Sequence, residues 1–267
     1  MEMEMKSKMH FASDKEDKMG DKKVCVITGA TGGIGKEVVK KYYKNDYDVV
    51  MLDIREETLS AFVEAEGMDE ARVSYYTVDV SSEQSVIDTI NKIKADKGRI
   101  DVLVNTAGII GKYGETIDYE FENFKRIYEI NVFGTFLMMK YTLPIMVEQG
   151  KGAIVNFGSC SGMTGYTLEI GYGSSKWAVI GMTKNVANEY ASRGIRANSI
   201  SPGWVNTAML QQSIEDYAKT GQSPNFGCIG RPGEPSEMAD AVYYLSSDEA
   251  SFVNGTNLLV DGGKMLD

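Results

Sequence analysis

Histidine is almost absent from this sequence. Its 267 residues include one histidine, His10, in a polar amino-terminal segment rich in lysine and methionine. Histidine is the usual proton-transfer residue near neutral pH and the commonest metal ligand. A Ser-His-Asp hydrolase triad or a histidine-rich zinc site is therefore hard to assemble from the rest of the chain. Any acid–base chemistry must fall to another residue type.

Cysteine is scarce as well. Cys25, Cys160 and Cys228 are widely and irregularly spaced, which matches neither a disulfide framework nor a Cys-x-x-Cys metal site. We expect reduced thiols in a cytoplasmic protein and no metal centre. Cys25 lies in an apolar run and Cys160 follows a serine, and we interpret both as packing residues.

Positive charge is under-represented. Lysine and arginine total 28 against 38 aspartates and glutamates, which gives a formal net charge of -10 and a pI near 4.8. A field of this sign repels a phosphate backbone, so nucleic acid is not an expected partner. An acidic carrier protein is weakly disfavoured for the same reason, although a local basic patch would override the net charge.

Long apolar runs are missing too. No stretch approaches the roughly 18 apolar residues that suggest a membrane span. Residues 1–22 mix both charge signs and lack the apolar core of a signal peptide. We therefore expect a soluble protein with no membrane partner. Residues 1–22 form a polar extension, interpreted either as a disordered tail or, through Met9, His10 and Phe11, as a cover over the substrate site.

From residue 23 onward, short apolar runs alternate with longer amphipathic stretches. The runs predicted to be strands are 23–28, 48–53, 73–79, 99–105, 153–157, 195–201 and 257–261. Several carry valine and isoleucine at consecutive positions, which is typical of a parallel sheet covered by helices on both faces. The alternation of strand and helix predicts a doubly wound α/β sheet with right-handed crossovers. Because no internal linker interrupts it, we expect residues 23–267 to form one domain.

A glycine cluster directly follows the first predicted strand. In TGATGGIG, residues 28–35, the glycines allow a sharp turn and leave the free N–H groups of the next helix aimed at a pyrophosphate. The second strand ends at Asp53, 18 positions after Gly35 and close to the spacing of about 20 expected for an acid that bonds the adenosine ribose. Its carboxylate repels the 2′-phosphate of NADP, so the sequence favours NAD. Gly32 has no basic side chain to bind the 2′-phosphate of NADP. Arg55 is the one residue here that could favour NADP over NAD.

Eight motifs, in this order, resemble those of the short-chain dehydrogenases/reductases. They are TGATGGIG (28–35), DV (79–80), NTAG (105–108), Asn131, Ser159, YGSSK (172–176), PGWVNT (202–207) and VDGG (260–263). Together they span essentially all of residues 23–267. The resemblance implies one Rossmann-like α/β domain with a seven-stranded parallel sheet flanked by helices. It also implies an oxidoreductase that interconverts an alcohol and a ketone by hydride transfer.

The resemblance assigns four catalytic roles. Tyr172 becomes the general acid or base at the reacting oxygen, and Ser159 hydrogen-bonds the same oxygen. Lys176 bonds the nicotinamide ribose and favours the tyrosinate, while Asn131 holds a water that connects the lysine to solvent. The spacing supports this, because residues i and i+4 share a helix face and let Tyr172 and Lys176 reach one cleft. A nearby ammonium and a positive nicotinamide both lower the pKa of a tyrosine, which is ordinarily about 10.

The expected cofactor contacts are distributed along the chain. By resemblance, Asp79 meets the adenine amine, and Val80 flanks the ring. The complete set is Gly29, Thr31, Gly33, Ile34, Gly35, Asp53, Ile54, Asp79, Val80, Asn105, Ala107, Gly108, Tyr172, Lys176, Pro202, Gly203, Val205 and Thr207. Thr106 departs from the family pattern, which usually has a second asparagine there, and this leaves the fine structure after the fourth strand open.

The substrate residues are the hardest to derive from the sequence. By resemblance they follow the strand ends, and the expected set is Ile110, Met163, Leu168, Trp204, Met209 and Leu210. Residues 208–226 carry apolar side chains at roughly helical spacing, which fits either an amphipathic lid or ordinary packing. The expected lining of this cleft is apolar, and these segments contain no obvious arginine to bind an anionic group. The cleft therefore favours a bulky neutral alcohol or ketone as substrate. In length and character the chain resembles bacterial hydroxysteroid dehydrogenases, among them those that act at C20.

Two alternatives stay open at this point. A 3-oxoacyl-thioester reductase fits the same motifs, although such an enzyme more often carries basic residues that select NADP. A dinucleotide-sensing protein without turnover needs the cofactor site but no acid–base pair, so the four catalytic residues argue against it. The resemblance further implies a homotetramer or homodimer, with the long helix around 120–149 and the helix from Tyr172 lying between subunits.

Overall fold

Seven parallel strands form the centre of the computed structural model, which describes residues 22–219 and 223–266. The strands are β1 (Val24–Thr28), β2 (Asp48–Asp53), β3 (Val73–Thr77), β4 (Val102–Asn105), β5 (Gly152–Phe157), β6 (Ile195–Pro202) and β7 (Asn257–Val260). Their order in the sheet is β3-β2-β1-β4-β5-β6-β7, and all pairings are parallel. The predicted strands and the Rossmann-like doubly wound sheet are confirmed.

Two strands are shorter than the sequence indicated by more than one residue. Residues 78–79 follow the end of β3, and residues 99–101 precede β4. Just before β4, Arg99 donates two hydrogen bonds to the Asp101 carboxylate, at 2.9 and 2.7 Å. Asp101 also accepts a hydrogen bond from the Val24 N–H at 2.7 Å. The backbone of Asp101 keeps its bonds to both neighbouring strands, since its N–H donates to the Val24 carbonyl oxygen and its carbonyl oxygen accepts from the Ala153 N–H, each at 2.9 Å.

Helices cover both faces of the sheet. Among the described residues they are α1 (Gly33–Lys44), α2 (Glu56–Ala65), α3 (Glu83–Lys97), α4 (Phe121–Tyr128), α5 (Thr135–Gln149), α6 (Ile170–Tyr190), α7 (Ala208–Lys219) and α8 (Pro235–Ser246). The side chains of β1 alternate between two cores: Cys25 and Ile27 pack with α1 and α8, while Val24 and Val26 pack with α3 and α5. A strand buried on both faces needs apolar residues at consecutive positions, as the sequence shows.

Residues 121–149 form a continuous helical stretch in which α4 and α5 are joined by a π-helix, Glu129–Gly134. By length and composition alone, with a mean hydropathy of 1.3 in its most apolar window, this stretch is long and apolar enough to cross a membrane. However, 61% of that window is buried inside the domain. Core helices of water-soluble folds have the same character, so this is weak evidence for a membrane span.

The sheet topology decides where a ligand site lies. The chain proceeds from β1 outward to β3 and then returns to the other side of β1 with β4. At such a reversal the loops after the two central strands diverge and leave a crevice at the carboxyl ends of the strands. The motifs at 28–35, 79–80, 105–108 and 202–207 all lie at this edge. The prediction that Met9, His10 and Phe11 cover the cleft lies outside the described residues.

Candidate active site

The glycine loop turns sharply between β1 and α1. Gly29 has a φ of +61°, and a Cβ there would lie 2.8 Å from the Ala107 Cα atom. A Cβ on Gly35 would lie only 2.1 Å from the Gly29 carbonyl oxygen, so the first turn of α1 packs directly on the loop. Both positions require glycine because the backbone segments touch. The amino terminus of α1 is left facing the crevice, where its free N–H groups suit a phosphate.

Asp53 ends β2 beside this loop. One of its carboxylate oxygens accepts hydrogen bonds from the Thr31 N–H at 2.9 Å and the Thr31 hydroxyl at 2.6 Å. The other oxygen accepts a bond from the Ile54 N–H at 2.8 Å. The carboxylate is thus held in one orientation at the cleft wall, and Arg55 lines the same part of the cleft.

The cleft along β1, β2 and β4 fits an extended dinucleotide. The predicted cofactor residues that line it are Gly29, Thr31, Gly33, Ile34, Gly35, Asp53, Ile54, Asp79, Val80, Ala107, Gly108 and Thr207. Tyr172, Lys176, Pro202, Gly203 and Val205 line the adjoining pocket. Glycine backbone, a helix amino terminus and an acid at the end of β2 are the groups that suit such a cofactor. Arg126 of α4 also lines the cleft, and no local sequence signal marks it.

The end of β4 shows what the threonine at 106 does. Its hydroxyl donates a hydrogen bond to the Thr28 carbonyl oxygen at 2.5 Å, and Asn105 pairs with Thr28 in the sheet. Asn105 itself lies deeper than predicted, because its side chain is buried and donates to the Asn156 Oδ1 atom at 2.9 Å. The Thr106 hydroxyl thus bonds to the end of β1. Asn105 is buried beneath the cleft, where it bonds to β5 and does not line the cleft.

Ser159 and Tyr172 meet although they belong to different elements. Ser159 follows β5, and its hydroxyl oxygen accepts a hydrogen bond from the Ser161 N–H at 3.1 Å in a short 3-10 turn. Tyr172 lies in the first turn of α6, and it lines the same pocket as Ser159. Burial raises the pKa of Tyr172 above its ordinary value, the nearby Ser159 hydroxyl lowers it, and Glu169 and Cys160 raise it further. The chain's own groups therefore keep the phenol protonated.

Lys176 lies one helical turn after the tyrosine, on the same face of α6. Its side chain is 6% exposed, and its Nζ atom donates a hydrogen bond to the Phe157 carbonyl oxygen at 2.8 Å. The ammonium lies 5.6 Å from the centre of the Tyr172 ring. Burial lowers the pKa of Lys176 to about 8. A Cβ on Gly108 would lie 3.6 Å from this ammonium, so the glycine keeps the space beside it open.

Asn131 lies in the π-helix between α4 and α5. Its amide nitrogen donates to the Ile109 carbonyl oxygen at 2.9 Å and to the Ser175 hydroxyl oxygen at 3.1 Å. Its amide oxygen accepts a bond from the Ile109 N–H at 2.9 Å. The widened turn of a π-helix is a common feature of functional sites. Here it directs Asn131 to the chain after β4 and to the helix that carries Lys176.

Of the residues predicted for the substrate, Ile110, Trp204, Met209 and Leu210 line the pocket next to Tyr172. Met163 instead accepts a hydrogen bond from the Asn257 amide at 2.9 Å. Leu168 has a φ of +67° and accepts a hydrogen bond from the Gly114 N–H through its backbone carbonyl. Neither is among the residues that line the pocket.

Two charged residues in this pocket were missed from the sequence. Glu169 is buried three positions before Tyr172, and that closeness in the chain was the available signal. Lys264 reaches the pocket from the end of the chain, and nothing local in the sequence indicates this. The pocket is therefore not purely apolar.

The segment after Thr207 contains the predicted amphipathic helix. It forms α7, and Met209, Leu210 and Ser213 from this helix line the pocket. Leu210 is buried, whereas Met209 is partly exposed at the rim. Residues 220–222 of the expected lid lie outside the described residues.

Comparisons with known proteins agree with this geometry. A family model described as enoyl-(acyl carrier protein) reductase matches residues 29–264. The chain is 36% identical to the 3-oxoacyl-[acyl-carrier-protein] reductase of Thermotoga maritima, over 91% of this chain and 98% of the relative. This chain belongs to the short-chain dehydrogenase/reductase family. It is accordingly an oxidoreductase that acts on CH–OH groups with a nicotinamide dinucleotide.

Other members of this family differ in substrate and cofactor. The 3alpha-hydroxysteroid dehydrogenase of Mediterraneibacter gnavus is 37% identical over 90% of this chain and 96% of its own. A solved structure of ElxO with NADP bound has a TM-score of 0.85 and 36% identity, covering 92% of this chain and 100% of that one. An NAD+-bound xylitol dehydrogenase also has a TM-score of 0.85, with 33% identity and the same coverage.

Proposed function

We propose that this protein interconverts a secondary alcohol and a ketone on a bulky, largely apolar substrate of the hydroxysteroid class, with NAD(H) as cofactor. The observation that carries the proposal is the meeting of Ser159, Tyr172 and Lys176 at a pocket walled by apolar side chains. The buried thiols of Cys25 and Cys160 fit a reducing cytoplasm.

Tyr172 is the proton donor and acceptor in this proposal. In ketone reduction its phenol gives a proton to the carbonyl oxygen, and Ser159 donates a hydrogen bond to the same oxygen. The Lys176 ammonium, held by the Phe157 carbonyl, stabilises the phenolate that remains. A bound nicotinamide dinucleotide supplies the hydride in reduction and accepts it in oxidation. In alcohol oxidation the proton moves in reverse, from the alcohol to the phenolate.

Asn131 is a positioning residue in this proposal. Its amide fixes the backbone at Ile109 and the hydroxyl of Ser175, next to Lys176 in the chain. The predicted water that links Lys176 to solvent remains part of the proposal.

The preference for NAD rests on Asp53. Its carboxylate is fixed at the adenosine end of the cleft by Thr31 and Ile54, where it repels a 2′-phosphate. The related solved structures hold either cofactor, so the family fold alone does not select one. Arg55 lines the same region and is the residue able to pair with a phosphate once the acid is removed.

The substrate class rests on the pocket walls and one relative. Ile110, Trp204 and Leu210 present apolar surface next to Tyr172, which suits fused rings. The hydroxysteroid dehydrogenase of Mediterraneibacter gnavus supports the same class. The relative from Thermotoga maritima favours a second candidate function, reduction of a 3-oxoacyl thioester.

Self-association is part of the proposal. Phe133 and Phe136 from the continuous helix 121–149, and Trp177 from α6, are each about half exposed. Large aromatic side chains exposed on neighbouring helices are typical of an interface between subunits. They lie on the two helices that the sequence analysis placed between subunits. Sedimentation equilibrium tests this, and a monomer at micromolar concentration would contradict it.

A substrate panel is the decisive experiment for the activity. Steroid ketones oxidised at different ring and side-chain positions, a 3-oxoacyl thioester and a sugar ketone are assayed with NADH and with NADPH. We expect the highest kcat/KM for a steroid ketone with NADH. A higher kcat/KM for the thioester would favour the second candidate, and a preference for NADPH would overturn the assignment of NAD.

A further inference from the structure

A second lysine side chain lines the pocket that contains the reaction machinery. Lys264 follows β7 in a 3-10 turn, Lys264–Leu266, and shares the pocket with Tyr172 and Ser159. The proposed mechanism gives it no role, because proton transfer needs only Tyr172, Ser159 and Lys176.

Backbone bonds hold this turn in place. The carboxylate of Asp261 accepts hydrogen bonds from the Gly263 N–H at 3.0 Å and the Met265 N–H at 2.9 Å. Two aromatic rings then hold the side chain, since the Lys264 ammonium lies 4.2 Å from the centre of the Tyr166 ring and 4.7 Å from that of Trp204. Cation–π contacts of this kind fix the direction of an ammonium without neutralising its charge.

The charge of Lys264 is only partly balanced. Burial lowers its pKa, although Cys160, Glu169 and Asp261 act in the opposite direction. Among the described residues, no carboxylate oxygen lies within 4.0 Å of its nitrogen. Partial burial removes water from this ammonium and destabilises its charge. An anionic group on a ligand in the pocket would therefore stabilise it strongly.

We propose that Lys264 is a specificity-determining residue that binds a carboxylate on the substrate, at a distance from the carbon that reacts. The substrate is then an apolar ring alcohol, or its ketone, that carries an acidic group. This deepens the proposed function and rests on it. It also changes one sequence expectation, since a fully neutral substrate leaves Lys264 without an anionic partner.

The buried Glu169 limits where the carboxylate can lie. It is close enough to Tyr172 to raise the pKa of the phenol. Glu169 also acts on the Lys264 ammonium and on Tyr166, so it repels an anion throughout this pocket unless the anion bonds a cation directly. Lys264 is the cation lining the pocket that is not part of the proposed reaction machinery, and the substrate carboxylate is therefore placed against it.

The test compares a hydroxycholanoic acid with its methyl ester, which differ only in the charge of the side-chain terminus. Wild type, Lys264→Met and Lys264→Arg are assayed with NAD+. Methionine keeps the length and the packing between the rings but removes the charge. We expect Lys264→Met to raise KM for the acid about tenfold, or about 1.4 kcal/mol, with kcat within about twofold and the ester unaffected. Lys264→Arg should restore most of the affinity for the acid.

Lys92→Met is the matched control, because it removes one positive charge from the exposed surface of α3. It should leave both substrates unchanged. Equal effects of Lys264→Met on acid and ester would show that the lysine only holds the chain terminus, and an equal effect of Lys92→Met would show a bulk charge effect. Either result overturns the inference while the steroid function stands. Turnover of neither compound by a wild type that reduces other steroid ketones of the panel also overturns the inference, whereas failure with every steroid overturns the steroid function itself.

Discussion

The two halves of the cleft are built in different ways. The cofactor half consists of backbone and short side chains from β1, β2 and β4, with the Gly29 to Gly35 loop and Asp53 within about 25 residues of one another. The substrate half brings together Ile110, Glu169, Trp204, Leu210 and Lys264, which are far apart in the chain. The geometry of the cofactor half is therefore set largely by one loop. The geometry of the substrate half depends on how distant segments of the domain pack together.

This difference explains how one family serves many substrates. The cofactor half is lined by glycine backbone at positions where a side chain would clash with neighbouring backbone. The substrate half is formed by loops and by α7, and loops tolerate substitution better than the elements that they connect. Ser159, Tyr172 and Lys176 lie where the halves meet, and the predictions below test each side and this junction.

Tyr172→Phe tests the junction and should have the largest effect. It removes the proton donor but keeps the ring, so kcat should fall by about 10² to 10⁴, the usual contribution of a general acid. NADH binding, measured by fluorescence titration, should stay within about twofold. Tyr190→Phe at the far end of α6 is the matched control, and equal activity of the two variants would remove Tyr172 from its assigned role.

Gly35→Ala should damage the cofactor half alone. The added methyl would lie 2.1 Å from the Gly29 carbonyl oxygen, so α1 must move away from the loop at a cost of about 1–3 kcal/mol. The Kd for NADH should rise about 10- to 100-fold. Gly32→Ala adds the same methyl 3.2 Å from that oxygen and should bind NADH nearly normally. Similar Kd values for the two variants would show that the close approach at Gly35 is not required.

Asp53→Ala tests cofactor choice within the same half. Loss of the acid removes the repulsion of a 2′-phosphate next to Arg55, so the ratio of kcat/KM for NADH over NADPH should fall about tenfold, or about 1.4 kcal/mol. Asp118→Ala, which removes an exposed acid elsewhere, is the control. An unchanged ratio in Asp53→Ala would place the selection of NAD elsewhere.

Leu210→Ala should affect the substrate half. This buried residue of α7 lines the pocket, so its truncation should raise KM for a steroid ketone several-fold and leave the KM for NADH unchanged. The cavity should cost about 2–5 kcal/mol of unfolding free energy. Leu245→Ala in α8 is equally buried but lies outside the pocket, and it should lower stability without changing either KM. A rise in the KM for NADH would contradict the separation of the halves.

The smallest expected effect is a pH dependence at the junction. Burial lowers the pKa of Lys176 to about 8, so the side chain is an ammonium below that pH and a neutral amine above it. Ketone reduction uses the ammonium, and kcat/KM should therefore be flat at low pH, fall by about half at pH 8 and decline further above it. Thermal melts at each pH control for unfolding. A profile that stays flat to pH 9.5 would contradict the role of Lys176.

The fold could be predicted from the sequence because the burial of each strand appears as a pattern within a few consecutive residues. Consecutive apolar residues in β1 and β5 are needed wherever helices cover both faces of a sheet, so the seven strands were visible as runs. The start of β4 was placed too early, in a stretch where the Arg99 and Asp101 side chains bond each other and the Val24 N–H. A polar side chain that bonds backbone leaves no trace in hydrophobic periodicity.

For the candidate site, the sequence alone pointed to the glycine loop, to Asp53 and to the Tyr172 and Lys176 pair, since each depends on spacing along one turn or one helix face. Only the tertiary structure decided that Asn105 lies below the cleft floor, that Met163 and Leu168 bond elsewhere, and that Glu169 and Lys264 enter the pocket. The reason is physical. Whether a side chain reaches a pocket depends on how distant segments of the chain pack. The free energy of that packing comes from many contacts between segments, and no short stretch of sequence contains them.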